Sequence, residues 1–302
     1  MRTELEREVL KGVSRSFYLS LRLLPAPMRR PVGIAYLLAR TSDTIADSAT
    51  IPATDRIALL DDFARQVSGV GELVPFPQAL ITGTQDKREK ILLEYYAEII
   101  AAYQSLGQTA IPLIREVIAI IISGQKLDLE RFGDANKLTA LADESELDDY
   151  TWRVAGCVGA FWTKLGFEML GERFSQSDPI KLLAEGIEFG KGLQLVNILR
   201  DLPKDLAAGR CYLPVSNPAD HAELMAVFSE WRETASRRMN SGLRYAKVLR
   251  SKRLRMSSAL PAMIGSETLQ LMDKVDFGDL EVGIKVSRRR VYALIMEAFL
   301  RF

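Results

Sequence analysis

Histidine is almost missing from this chain, and cysteine is scarce. The 302 residues hold one histidine, His221, and two cysteines, Cys157 and Cys211. A His-based catalytic triad is therefore disfavoured, no zinc-ligand spacing exists, and no disulfide framework can be drawn. Two isolated cysteines suit a reducing, cytoplasmic compartment. Net charge is also nearly absent: 40 basic against 39 acidic residues leave +1. The signs are mixed along the chain, which points away from a nucleic-acid partner. Long hydrophobic runs are lacking too. The longest, Val117 to Ile122, is far too short to span a bilayer. The opening MRTELEREVLKG reads as a charged amphipathic helix start rather than a signal peptide. Arg301-Phe302 follows no apolar tail, so neither a leader nor a membrane anchor is expected. There is no G-x-G-x-x-G, no P-loop and no alternation of strands with helices. No linker rich in Pro, Gly or Ser interrupts the chain. With 48% hydrophobic residues, a large core is available. These features favour one all-α domain over residues 1–302, a single large helical bundle.

Helical periodicity carries the rest of the reading. Residues 3–22 form one expected helix, ending before Pro25 and Pro27. Pro27 and Pro31 suit the first turn of a second helix running to about Ser48. Thr50 or Thr54 is the expected cap for a helix over 55–67. Residues 87–103 are periodic, with Leu92, Tyr95, Tyr96, Ile99 and Tyr103 near one core face. Residues 111–132 are β-branched, but their length favours helix. Residues 147–170 form another helix despite Gly156 and Gly159. A glycine in a helix costs about 1 kcal/mol against alanine, so these two imply close approach by another helix or by a substrate. Helices over 220–247 and 259–272 follow, then a last one opened by Lys285, Arg288, Arg289 and Arg290. The basic run at 247–255 reads first as solvated surface, less often as a contact to phosphate or anionic lipid.

Two stretches carry ionisable groups where an apolar helix would not need them. In the first, YLLARTSDTIAD, Asp43 and Asp47 lie at i and i+4 with Arg40 one turn upstream. Their Cβ atoms are expected roughly 6 Å apart on one face. In the second, GKGLQLVNILRDLPKDLAAGRCYLP, an apolar helix carries Gln194, Asn197, Arg200 and Asp201, followed by Pro203, Asp205 and Arg210. A single D-x-x-x-D is more often a solvated helix face. Two copies, each beside arginine on an apolar helix, suit hard divalent cations and a polyphosphate. Pro203 removes a backbone donor and clashes with the preceding turn. The second helix is therefore expected to end or kink near Asp201 to Leu202, leaving Asp205 off the face of Asp201.

At these residues the chain resembles the squalene and phytoene synthase family of head-to-head prenyltransferases. Ser14-Arg15-Ser16-Phe17 is similar to the family's S-R-S-F signature. Residues 28–47 resemble its first aspartate-rich helix, including Tyr36 and Arg40. Residues 150–159, YTWRVAGCVG, resemble its Y-x-x-x-V-A-G-x-V-G segment, and Gln194 to Asp201 its second motif, closed by Gly209-Arg210 and Tyr212-Leu213-Pro214. The order and spacing of these signatures are specific; none would suffice alone.

The resemblance implies the isoprenoid synthase fold, with two Asp helices facing across a deep central cavity. It implies Mg²⁺ held by Asp43, Asp47, Asn197, Asp201 and Asp205. Substrate contacts would come from Ser14, Arg15, Ser16, Phe17, Tyr36, Arg40, Gln194, Asn197, Arg200 and Arg210, with Tyr150 near the reacting carbons. The implied substrate is a prenyl diphosphate, two farnesyl diphosphates joining through presqualene diphosphate. Squalene is the first expected product, with NADPH as reductant and Lys285 and Arg288 near its phosphates. Phytoene or dehydrosqualene synthesis without reduction is the alternative, and a non-catalytic scaffold of the same fold stands beside both. No stable protein partner is implied, while an apolar substrate and product leave room for peripheral membrane contact.

Overall fold

The computed structural model describes residues 9–14, 17–133 and 137–302, with Phe17 and Leu19 described by backbone alone. The chain divides into two compact units, Met1–Glu130 and Arg131–Phe302. Both are built from helices, as the composition and periodicity predict.

In the first unit the helices are α1 (Leu10–Ser14), α2 (Phe17–Leu23), α3 (Ala26–Ala46), α4 (Ala53–Ser68), α5 (Gln78–Gly83), α6 (Lys87–Glu94), α7 (Tyr96–Gln104) and most of α8 (Ala110–Phe132). Among the described residues, the expected helix over 3–22 is two short ones. The helix expected over 87–103 also divides, because the Tyr95 backbone (φ −88°, ψ 15°) leaves the helical region. Four of the five residues named for the core face survive that break, with Leu92, Tyr96, Ile99 and Tyr103 buried, while Tyr95 at the break is half-buried. Phe63 and Phe76 pack on Tyr96 at ring-centroid distances of 5.7 and 4.4 Å. At the start of α4 neither Thr50 nor Thr54 caps. Pro52 holds the N-cap position without a side-chain bond, its ring setting the entry angle.

α3 positions the first acidic pair. Met28, Leu37, Leu38 and Ile45 are fully buried, so one face of α3 is fixed by the core. Thr41, Ser42 and Thr44 are buried as well, and each hydroxyl donates to a carbonyl of its own helix at 2.8–2.9 Å. No buried hydroxyl on that face is left to compete for a ligand. Pro27 sits in the first turn, whereas Pro31 lies inside the helix.

The second unit contains α9 (Glu144–Thr151), α10 (Cys157–Leu170), α11 (Pro179–Ala207), α12 (His221–Val248), α13 (Lys252–Leu271), α14 (Phe277–Val282) and α15 (Arg288–Arg301). Two two-residue strands, β1 (Thr139–Ala140) and β2 (Arg210–Cys211), pair in parallel. The expected helix over 147–170 is interrupted. Trp152–Gly156 forms a π-helical turn between α9 and α10, a widening that often accompanies functional sites. Its glycines are explained by packing. A Cβ on Gly159 would lie 1.9 Å from the Gly186 carbonyl oxygen, and one on Gly190 would lie 2.3 Å from that of Ala155. The backbones of α10 and the π turn thus touch α11 directly.

α11 runs unbroken through Pro203 to Ala207, which corrects the expected break at Asp201 to Leu202. The proline costs about 3 kcal/mol in a helix interior. Burial of Leu195, Val196, Ile198, Leu199 and Leu202, at about 1.5–3 kcal/mol per side chain, outweighs that cost. Ala208 closes the helix, and Gly209 follows with φ 79°, the left-handed residue that helix ends favour.

Candidate active site

In the first acidic segment, Arg40, Asp43 and Asp47 share one side of α3. Asp47 stands at the C-cap rather than within the helix body, but its backbone is still right-handed (φ −85°, ψ −1°). The i, i+4 relation to Asp43 is therefore kept. Gln125 Nε2 of α8 donates to Asp43 Oδ1 at 2.6 Å. Arg40 Nη1 stands 3.6 Å from Asp43 Oδ2, and its Nη2 donates to Glu89 of α6. Burial pushes the Asp43 carboxyl up to about 6; Asp47 adds to the rise, while Arg40 and Gln125 oppose it. Part of the Asp43 side chain, 42%, stays accessible. The result is a carboxylate that prefers a further positive charge and is open enough to receive one.

In the second segment α11 carries Gln194, Asn197, Arg200, Asp201 and Asp205. Because the helix is unbroken, Asp201 and Asp205 also stand at i and i+4 on one face. Asn197 is exposed and the other four are half-buried. Arg200 grips Asp201 with two parallel bonds, Nε to Oδ1 at 2.9 Å and Nη2 to Oδ2 at 2.6 Å. Arg210 Nη2, in β2, donates to Asp205 Oδ1 at 3.0 Å. Burial raises the Asp205 pKa, with Arg210 opposing and Asp201 reinforcing the rise. Below this face, Tyr150 is buried and stacks on Tyr212 (4.7 Å, 17°), and Phe132 meets Tyr212 edge-on at 5.3 Å. These rings join Leu195, Val196, Leu199 and Leu202 in one core cluster.

The remaining expected residues fall in different places. Ser14 Oγ donates to the Leu10 carbonyl at 2.5 Å within its own helix. Tyr36 Oη donates to the Val13 carbonyl at 3.1 Å, tying α1 to α3. Arg15, Ser16 and the Phe17 side chain lie outside the described residues. Lys285 lies in the connector before α15 and Arg288 is its first residue, both exposed.

Several partners went unseen in the sequence. Gln125 and Glu89 hold the first segment; Gln125 signalled itself only as a polar residue in the apolar run of α8, and Glu89, in the charged run 86–90, gave no signal. Asp148 of α9 accepts from Lys191 Nζ at 2.6 Å and Arg238 Nη2 at 2.7 Å, and Arg238 Nε also donates to Glu188 at 3.0 Å. This cluster ties α9 and α12 to α11.

The donor chemistry suits magnesium. Hard carboxylate oxygens stand in pairs, and burial pushes one member of each, Asp43 and Asp205, toward neutrality. Among the described residues, no three Asp, Glu, His or Cys side chains converge to hold an ion unaided.

The family model for squalene/phytoene synthase matches residues 10–292. This chain belongs to the squalene/phytoene synthase family. Among curated relatives, it is 28% identical over 87% of its length to squalene synthase BSS of Botryococcus braunii, and 32% over 67% to presqualene diphosphate synthase of Rhodopseudomonas palustris. It is 30% identical over 71% to 15-cis-phytoene synthase of Synechocystis. The matches span 57%, 59% and 56% of those relatives' own lengths. Among solved structures, a TcSQS–ligand complex aligns over 97% of this chain and 84% of its own, with TM-score 0.77 and 23% identity. A dehydrosqualene synthase complex aligns over 97% and 93%, with TM-score 0.65 and 20% identity. These likenesses show the fold, the all-α isoprenoid-synthase type.

Proposed function

We propose that this protein is a magnesium-dependent prenyltransferase that joins two farnesyl diphosphates head to head through presqualene diphosphate, with squalene as the leading product. The observation that carries the reading is the pair of D-x-x-x-D faces, each accompanied by arginine, in a chain of this family. The reading takes residues 1–302 as one functional domain.

Asp43, Asp47, Asn197, Asp201 and Asp205 are the proposed magnesium ligands. Magnesium, when bound, supplies Lewis-acid stabilisation of the departing diphosphate. Arg40, Arg200 and Arg210 already bond carboxylates here, and they would share those bonds with phosphate oxygens as charge-assisted contacts. Gln194 would orient the diphosphate. Ser14, Arg15, Ser16, Phe17 and Tyr36 are proposed to lie along the substrate's path. Tyr150, buried on Tyr212, would place a phenol beside the allylic carbons in apolar surroundings that exclude water. Squalene requires a hydride donor, for which NADPH is proposed. Lys285 and Arg288, two exposed cations three residues apart, would meet its phosphates.

A second reading is favoured by the relatives themselves, which include a presqualene diphosphate synthase and a phytoene synthase. The test is a product assay with farnesyl diphosphate and Mg²⁺, with and without NADPH, read by mass spectrometry. Squalene formed only with NADPH supports the first reading. A C30 product indifferent to NADPH moves the assignment to dehydrosqualene or presqualene diphosphate. Turnover of the C20 diphosphate alone moves it to phytoene, and no turnover of either leaves a scaffold.

A further inference from the structure

The last helix is apolar on two sides. Leu294, Ala298 and Phe302 are buried with Ala246, Ala259, Leu260 and Met263, which accounts for one. Tyr292, Met296, Phe299 and Leu300 recur at i, i+4, i+7 and i+8, a single stripe along α15. They stand 68%, 58%, 49% and 79% exposed. Every other helix exposes at most one large apolar side chain among the described residues. The family match ends at residue 292, so the stripe lies almost wholly beyond it.

Charge around the stripe is positive. Arg289 precedes Tyr292 by one turn on the same side, and Arg301 ends the helix. Lys252 of α13 holds its ammonium 4.0 Å over the Phe299 ring. The one acid within α15, Glu297, and Glu267 of α13 both accept from Arg290; against these two acids stand five cations, Lys252, Arg288, Arg289, Arg290 and Arg301, so the local field stays positive. Aromatic and aliphatic groups bordered by arginine and lysine match the boundary between lipid headgroups and acyl chains. A second copy of the same face would bring like charges together.

We propose that this face of α15 docks on an anionic lipid bilayer. Tyr292, Met296, Phe299 and Leu300 enter the interface, while Arg289, Arg301 and Lys252 meet lipid phosphates. The inference does not depend on which reaction the protein performs.

The test is cosedimentation of the full chain with phosphatidylcholine vesicles, with and without phosphatidylglycerol. The unaltered protein should partition onto the phosphatidylglycerol vesicles, less onto pure phosphatidylcholine, and less in high salt. Replacing Tyr292, Phe299 and Leu300 together by Ser should lower the partition coefficient about tenfold or more. Arg289→Ser with Arg301→Ser should flatten the preference for anionic lipid. Circular dichroism and melting temperature check that the variants fold, and Leu300→Glu alone provides a milder change. Unaltered protein that stays in the supernatant with both vesicles, or a triple variant that sediments equally well, overturns the proposal. So does a concentration-dependent dimer, abolished in the triple variant, without vesicle binding.

Discussion

The two acidic segments share a spacing and differ in how their charge is met. On α3, Asp43 receives a neutral amide from Gln125 at 2.6 Å, and the nearby Arg40 is shared with Glu89. On α11 each acid has an arginine of its own, Arg200 for Asp201 and Arg210 for Asp205. The first segment thus has one shared arginine for two acids, whereas the second has an arginine for each, groups that also bind phosphate, although burial still raises Asp205. The same D-x-x-x-D pattern can therefore be poised in two ways. A cation relieves the first, while an anion arriving with cations would redistribute the arginines of the second.

The comparison breaks most sharply at turnover. Asp43→Asn and Asp201→Asn should each lower kcat/KM by about a thousandfold under the proposed function, with secondary structure retained. Full activity in either variant would remove that residue from the metal site. The segments should then separate under rising Mg²⁺. Arg200→Ala frees Asp201, so its loss should fall on diphosphate affinity, read in KM, more than on the Mg²⁺ requirement.

How legible this was depended on whether local chemistry or tertiary packing decided each feature. The helical class, the core face over Leu92, Tyr96, Ile99 and Tyr103, and the i, i+4 relation of Asp43 to Asp47 follow from periodicity and spacing, which local sequence carries. The fate of α11 at Pro203 did not. Local stereochemistry argues for a break, and burial of Leu199 and Leu202 overrides it. Gln125 lies 82 positions from Asp43, and no local pattern pairs them. The π turn at Trp152–Gly156 lies where the backbone of α11 comes against Ala155 and Gly159, a contact one helix cannot reveal about itself.

The glycine contact offers the next largest effect and acts on stability. Gly159→Ala places a Cβ 1.9 Å from the Gly186 carbonyl oxygen, where two backbones would have to part. A loss of about 3 kcal/mol or more is expected, read by chemical denaturation. Gly107 is the control, because a Cβ there meets nothing within 4 Å. Gly107→Ala should leave stability unchanged or raise it by about 0.5 kcal/mol. Equal effects at the two positions would remove the close-packing account of the glycines.

Asp148→Ala should cost less, because its side chain is 44% accessible and solvent screens the pair. About 1–2 kcal/mol is expected, mostly from leaving Lys191 half-buried without Asp148, while Arg238 keeps Glu188. Burial works against the ionised Asp148, but bonds from Lys191 and Arg238 prevail and lower its pKa. Its contribution is therefore present above the unfolded value of 3.8 and fades as pH falls below that. The melting difference between the variant and the parent should shrink in strong acid.

The smallest expected effect is the one that most sharpens the contrast between the acidic segments, because its sign is opposite. Asp43 titrates near 6 in the folded chain against an ordinary 3.8, so the folded state holds this proton more tightly than the unfolded state. The sign follows by linkage. Ionised Asp43 costs nothing below pH 3.8, costs progressively more up to about 6, and costs its full amount above that. With the side chain 42% accessible, solvent screening reduces the full cost to about 1 kcal/mol. Asp43→Asn, which keeps an oxygen for Gln125, should therefore melt higher than the parent at pH 8 and equally at pH 3.5. Mg²⁺ with an unreactive diphosphate analogue should raise the parent's melting temperature at pH 8 and leave the variant's nearly unmoved. A variant less stable than the parent at pH 8 would show that Asp43 is already compensated as well as Asp201 is.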